Sequence, residues 1–280
     1  MAEVTPNTVV TDTTSQPGIS IISINRPTRK NAVDPLTAKH LYNAILAYEA
    51  DAAQKVCILT GVGDTFCAGA DLHQVAGKQD NSSPSPSDNL QAVNGRNLAP
   101  MGPSRLIVQK PVICAVAGYA VAGGLELSLL ADLRVVEEDV IFGVFCRRWG
   151  VPLIDGGTVR LQAIIGLGRA MDMILTGRPV NAQEALTMGL ANRVVPKGES
   201  LKHALEIARQ LLVFPNMCLN TDRQSCYYSA YEARSFEDAM SHEFTAGSKV
   251  IATESSQGAA KFSKGSGRHG SFKEAGSSKL

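Results

Sequence analysis

The stretch YAVAGGLELSLLAD, residues 119–132, carries a glycine pair and, three residues beyond Gly123, a glutamate. On a helix opening at Gly123-Gly124, Glu126 sits one turn on and on the same face as Gly123. A helix start presents unpaired N–H groups with partial positive charge, and small residues let a ligand approach the backbone. A second small-residue turn, GVGDTFCAGAD at 61–71, follows another apolar run. Two such turns at neighbouring strand ends can aim one N–H each at a single oxygen. That is an oxyanion hole, which stabilises charge developing on a carbonyl. The Glu126 carboxylate then hangs beside the carbons next to that carbonyl, where a base or acid is useful. The plainer alternatives are a glycine pair that serves packing and a solvated helix glutamate. The joint occurrence of both turns after strands favours chemistry.

A third stretch, IFGVFCRRWGVPLIDGG at 141–157, gathers Cys146, Arg147, Arg148, Trp149 and Asp155 onto a glycine-rich turn. Cys146 has no base nearby in sequence, so it reads as a small polarizable residue in a pocket wall. Asp155 stands where it could N-cap a helix beginning near Gly156. Arg147 and Arg148 read as structural or solvated, with a polar acyl pocket as the alternative. Trp149, the chain's only tryptophan, reads as pocket wall or core.

Positioning these groups requires strands and helices in alternation. Residues 18–24, 55–60, 111–118 and 132–138 read as strands, some fully buried. Asp34 before Pro35 predicts an N-cap with proline at N1, opening a helix over about 35–50 with Leu41, Ile45 and Leu46 inward. The alternation predicts an α/β fold with βαβ units and a largely parallel sheet. Residues 77–104, polar and rich in proline, read as a lid or loop with a short helix. Beyond about residue 198 the periodicity is helical. The expected organisation is a core over 1–200, a helical region over 201–265 and a tail over 266–280.

The segments FCAGADL, KPVICAVAGYAVAGGLELSLLADLRV, FGVFCRRWGVPLIDGGTVRL and MILTGRPVNAQEALTMGLANRVVP resemble, in order and spacing, the crotonase (enoyl-CoA hydratase/isomerase) superfamily. The resemblance covers about residues 18–215, and the C-terminal helices more loosely. It implies a ββα spiral core with a helical C-terminal region used in trimerisation, giving a homotrimer or hexamer. It also implies an acyl-CoA thioester as substrate, with coenzyme A as part of the substrate and no further cofactor.

Residue by residue, the resemblance makes Glu126 the acid/base and the main-chain N–H groups of Ala70 and Gly123 the oxyanion hole. The second glutamate of the family's hydratases falls at Cys146, and this departure matters. A thiol with ordinary pKa near 8.5 is a poor substitute for a carboxylate that hands over a proton at neutral pH. Asp155 matches a place where some members, including dienoyl-CoA isomerases, carry a catalytic aspartate. For CoA, the resemblance points to Arg26 and Lys30 at the phosphates, with solvated loop charge as the alternative. It points also to the Ala68 carbonyl at the adenine amine, and to Phe272 and Lys273 near the tail. Cys146 and Trp149 fall in the substrate pocket. His73 either edges that pocket or is an ordinary loop residue.

The function implied is an enoyl-CoA hydratase/isomerase acting on a fatty acyl-CoA through a stabilised enolate. Alternatives are dienoyl isomerisation or thioester hydrolysis through Asp155, or acyl-CoA binding without turnover. Composition agrees with a globular enzyme: 280 residues, 44% hydrophobic, 19% charged, net charge +1. Near-neutral charge offers no case for nucleic acid, and no apolar run reaches the roughly 18 residues of a membrane span. The N-terminus lacks the basic and apolar regions of a secretory signal. Six dispersed cysteines predict reduced thiols and no metal site. Ser278-Lys279-Leu280 reads as an address for the peroxisomal import receptor, after a Gly/Ser-rich stretch.

Overall fold

The computed structural model describes residues 7–72 and 90–264. The chain divides into two compact units, Met1–Leu205 and Glu206–Leu280. The division falls within the helix Ser200–Val213.

The first unit is built on a six-stranded sheet. In chain order its strands are β1 (Val9–Asp12), β2 (Ile19–Ile24), β3 (Val56–Gly61), β4 (Val112–Val116), β6 (Leu133–Glu137) and β9 (Arg193–Val195). Their order across the sheet is β1-β2-β3-β4-β6-β9, parallel throughout except for antiparallel β1. A parallel sheet covered on both faces needs continuous apolar strands. In β3 and β4 every residue from Val56 to Thr60 and from Val112 to Val116 is buried. Helix α1 (Pro35–Ala50) starts as expected, with Asp34 accepting the Thr37 N–H at 2.8 Å. It buries Leu41, Ile45 and Tyr48 against the core.

A second, smaller sheet lies in the order β5-β7-β8, from β5 (Tyr119–Val121), β7 (Ile141–Gly143) and β8 (Val180–Asn181). Sequence reading missed these strands, as it missed β1 and β9, because two to four residues carry no readable period. Helix α2 (Gly123–Ser128) follows β5 directly, and a 3-10 turn, Phe145–Trp149, follows β7. Then come α3 (Gly157–Ile165), α4 (Leu167–Thr176), α5 (Ala182–Met188) and α6 (Ser200–Val213). Helix α2 is wholly buried. Arg134, itself buried, donates to the carbonyls of Ser128, the last residue of α2, and of Ala131 just past it, and holds that end in place.

The second unit contains α7 (Asn216–Tyr231), α8 (Phe236–Val250), a π-helical turn (Ile251–Ser255) and α9 (Ser256–Ser263). Helix α8 is capped by Ser235, which accepts from Asp238 N–H at 3.1 Å. Tyr228 on α7 stacks on His242 of α8 with ring centroids 3.8 Å apart. The predicted helical C-terminal region is therefore present. Among the described residues no helix is long and apolar enough to cross a membrane.

Candidate active site

The turn after β3 is sewn to two neighbours. Cys67 N–H donates to Tyr119 O at 2.9 Å and Val121 N–H to Cys67 O at 3.2 Å, alongside β5. On the other side Val33 N–H donates to Gly69 O at 2.8 Å and Asp71 N–H to Val33 O at 2.9 Å. Main-chain groups alternate along an extended segment, so the bonds of Gly69 and Asp71 to Val33 turn the Ala70 N–H away from it. Gly123 is the first residue of α2, where an N–H has no acceptor within the helix. Neither the Ala70 nor the Gly123 N–H donates to any atom among the described residues.

Glycine makes the approach of the two turns possible. Gly69 has φ +99°, and a Cβ there would lie 3.1 Å from Gly123 N and 3.0 Å from Ala122 Cβ. A Cβ on Gly124 would lie 2.0 Å from Cys67 O. Between them Ala122 adopts φ 52° and ψ −125°, held by its N–H bond to Gly143 O at 2.8 Å. A non-glycine residue there costs on the order of 1–3 kcal/mol and persists only when its surroundings over-determine it. The strain sits at the residue that presents Gly123.

Glu126 lies on α2 and is 3% exposed. Its Oε1 accepts the N–H groups of Asp155 and Gly157, each at 2.9 Å. Burial pushes its pKa up to about 7, and the Asp155 charge adds to this. The Gly157 and Asp155 N–H bonds and the Arg160 charge pull the other way. Oε2 has no bond among the described residues. Glu126, Ala70 and Gly123 all line one cavity of about 150 Å³.

Asp155 lines the same cavity, and the alternative that it caps α3 is corrected. The N-cap is Gly156, with no side-chain bond. The Asp155 Oδ1 instead accepts Met101 N–H at 2.9 Å and the Ser104 hydroxyl. These partners lie on a segment with no sequence signature, which is why sequence reading missed Met101 and Ser104. Burial holds the Asp155 carboxyl above its ordinary pKa, against the opposing Ser104 and Met101 bonds and the Arg105 and Arg160 charges.

Cys146 is in the cavity wall, buried, with its thiol pushed up by burial and then by the Glu126 charge. The thiol is therefore neutral, as a wall residue would be. Trp149 is 72% exposed and stands at the cavity rim, so the core alternative is corrected. The arginines turn elsewhere: Arg147 Nε donates to Ile174 O at 3.0 Å, and Arg148 lies over the Phe145 ring at 4.9 Å. The remaining wall is mainly apolar, including Leu72, Met101, Val151 and Ile154.

The expected CoA contacts divide. Arg26 is corrected: its guanidinium pairs with Asp34 at 3.0 Å and Asp71 at 2.9 Å, and is mostly buried. Two carboxylates already engage it, so it holds the turn together. Lys30 stays exposed, 3.3 Å from the exposed Asp64. Its carbonyl accepts the Ala68 N–H at 3.0 Å, which fixes Ala68 at the cavity edge. His73, Phe272, Lys273 and Ser278-Lys279-Leu280 lie outside the described residues, as do residues 77–89 of the expected lid. The six cysteines are free. Among the described residues no three His, Cys, Asp or Glu side chains are grouped to hold a metal.

Comparison with known proteins identifies relatives of this fold. The Enoyl-CoA hydratase/isomerase family profile matches residues 14–264. The enoyl-CoA hydratase EchA19 of Mycobacterium tuberculosis is 37% identical over 195 residues, covering 67% of this chain and 69% of that protein. A short-chain-enoyl-CoA hydratase of Clostridium acetobutylicum is 30% identical over 239 residues, covering 80% and 87%. The crystal structure of enoyl-CoA hydratase EchA1 from Mycobacterium marinum superposes with a TM-score of 0.80 at 30% identity, covering 92% of this chain and 96% of that one. With a buried glutamate beside two main-chain amides unpaired among the described residues, in the expected fold, the chain belongs to the enoyl-CoA hydratase/isomerase (crotonase) family.

Proposed function

We propose that this protein is an enoyl-CoA hydratase in which Glu126 alone carries the proton. The Ala70 and Gly123 N–H groups hold the thioester oxygen of a fatty enoyl-CoA. The Glu126 carboxylate takes a proton from water while the water oxygen bonds to the β-carbon, and the displaced π electrons pass to the thioester oxygen as an enolate. The enolate collapses and its α-carbon takes the proton back from Glu126, leaving the 3-hydroxyacyl thioester. Each amide of such a hole contributes about 3–4 kcal/mol to lowering the barrier. One carboxyl can both accept and return a proton when its pKa lies near the working pH. The observation that carries this reading is the buried Glu126 carboxyl, pushed up to about 7, in the same cavity as the two amides.

The test is loss of the conjugated enoyl-thioester absorbance of crotonyl-CoA and longer enoyl-CoAs, comparing wild type with Glu126→Gln. Hydration by wild type with loss in the variant is expected. Absence of turnover across the panel, with tight binding of the CoA esters, would favour an acyl-CoA binder and overturn the reading. A double-bond shift or thioester hydrolysis through Asp155 draws support from the Asp155 carboxyl lining the cavity, and product analysis separates these outcomes from hydration.

Three further assignments belong to the same proposal. Lys30, exposed beside the Ala68 turn, and the Ala68 carbonyl meet the CoA nucleotide, with Phe272 and Lys273 as further candidates from the sequence. The C-terminal helices support trimerisation, which sedimentation tests. The Ser278-Lys279-Leu280 sequence supports peroxisomal import, tested by the location of a fluorescent fusion with and without the tripeptide.

A further inference from the structure

Asp155 is bound at three points. Its N–H donates to Glu126 Oε1 at 2.9 Å. Its Oδ1 accepts Met101 N–H at 2.9 Å and the Ser104 hydroxyl, partners more than fifty residues away in sequence. Met101 in turn backs the oxyanion hole, since a Cβ on Gly123 would lie 2.6 Å from Met101 Sδ. Arg160 of α3 closes the structure by donating to the carbonyls of Ser104 and, at 2.9 Å, Leu106.

From this geometry we infer that Asp155 is a positioning residue, not a second acid/base: it locks Glu126 to the segment that supports Gly123. The inference rests on the reading of Glu126 as the acid/base. The Oδ1 of Asp155 takes up the Met101 N–H and the Ser104 hydroxyl, so this side chain is committed to seating the segment behind Gly123. The charged and titratable groups facing this pair are Arg105, Arg160 and Cys146. The Asp155 charge also helps raise the Glu126 pKa, after burial.

Asp155→Asn discriminates, because an amide Oδ1 still accepts both bonds but cannot ionise. A residue that exchanges protons in the reaction contributes about a hundredfold or more. A positioning role therefore predicts that kcat falls by no more than about tenfold in Asp155→Asn. KM stays within about twofold. The acid limb of the kcat/KM profile moves to lower pH, because the anion that raised the Glu126 pKa is gone. The Met101 amide keeps its hydrogen-exchange protection.

Asp155→Ala removes the acceptor. Its Met101 amide exchanges faster, and kcat falls by about a hundredfold, the scale of an ångström misplacement. Ser104→Ala loses one donor and gives an intermediate loss, which keeps the test intact if Asp155→Ala does not fold. A folded Asp155→Asn as inactive as Glu126→Gln would overturn the inference. So would unchanged Met101 exchange in Asp155→Ala, or in Ser104→Ala if the former does not fold. Failure of wild type to turn over any enoyl-CoA would instead overturn the functional reading, while the exchange comparison still decides this one.

Discussion

The Oε1 atom of Glu126 accepts the main-chain N–H of Asp155 at 2.9 Å, so the acid on α2 is aimed by the turn that opens α3. The Gly157 N–H joins it at the same distance. Two donors to a carboxylate favour its charged form, yet the carboxyl is pushed up to about 7. Burial of a group 3% exposed outweighs both bonds. The turn fixes where Glu126 points, and burial sets when it holds a proton.

A pH profile follows directly. Only the carboxylate takes a proton from water, so kcat/KM for crotonyl-CoA rises with pH through about 7 and then levels. Steady-state rates from pH 5 to 9 check it. An acid limb at the ordinary glutamate value would contradict the burial argument.

Glu126→Gln trades activity for stability. Loss of the acid/base lowers kcat by about 10²–10⁴-fold. The folded Glu126 pKa stands above its ordinary value of 4.5. The folded protein therefore keeps this proton while the unfolded chain releases it. Stability from this group is present below pH 4.5 and is lost as pH rises to about 7. Glutamine has no such dependence. The variant is expected to be more stable than wild type by about 1–3 kcal/mol at pH 8, with the difference vanishing near pH 4. Urea unfolding at the two pH values measures this.

The two glycines that open α2 respond differently to alanine. At Gly124 the new Cβ meets a backbone oxygen, Cys67 O, at 2.0 Å, and the two turns must separate. Gly124→Ala is expected to lose about 1–3 kcal/mol of stability together with activity. At Gly123 the Cβ meets only the flexible Met101 side chain. Gly123→Ala is expected to melt closer to wild type while kcat falls. Thermal unfolding and kinetics on both variants decide it.

Alkylation sorts the cysteines. Cys57, Cys67, Cys114 and Cys146 are buried, whereas Cys218 and Cys226 are exposed. Burial pushes the Cys67 and Cys114 thiols up to about 12, and thiolate is the reactive form. Iodoacetamide on the native protein is expected to label Cys218 and Cys226 and to spare the others, including Cys146. Peptide mass spectrometry reads the result. Fast labelling of Cys146 would point to a reactive thiol in the cavity.

Trp149 is a built-in reporter, being the only tryptophan and exposed at the cavity rim. Binding of an acyl-CoA is expected to shift its emission to shorter wavelength as the acyl chain covers the indole. Titration with a saturated acyl-CoA, which cannot be hydrated, measures this.

Local chemistry was legible wherever nearby residues decide the outcome. Asp34 and Pro35 marked the start of α1, apolar runs marked β2, β3, β4 and β6, and the spacing of Gly123 and Glu126 set both on one short helix. Residues 119–121, 141–143 and 180–181 are too short to show a period, and their pairing into a second sheet was invisible.

Side-chain destinations divided in the same way. Arg26 looked like a phosphate ligand because its partner Asp71 is distant in sequence. Asp155 read as a catalytic carboxylate or a helix cap, and the cap alternative failed because Met101 and Ser104 took its Oδ1. The sequence by itself determined the glycines, the helix bearing Glu126 and the family they belong to, because these depend on short-range sterics and spacing. Only the tertiary structure decided that the Ala70 and Gly123 amides stay unpaired among the described residues, beside a glutamate poised near neutrality. Hydrogen-bond satisfaction and burial depend on which distant segments meet, and chain order does not record this.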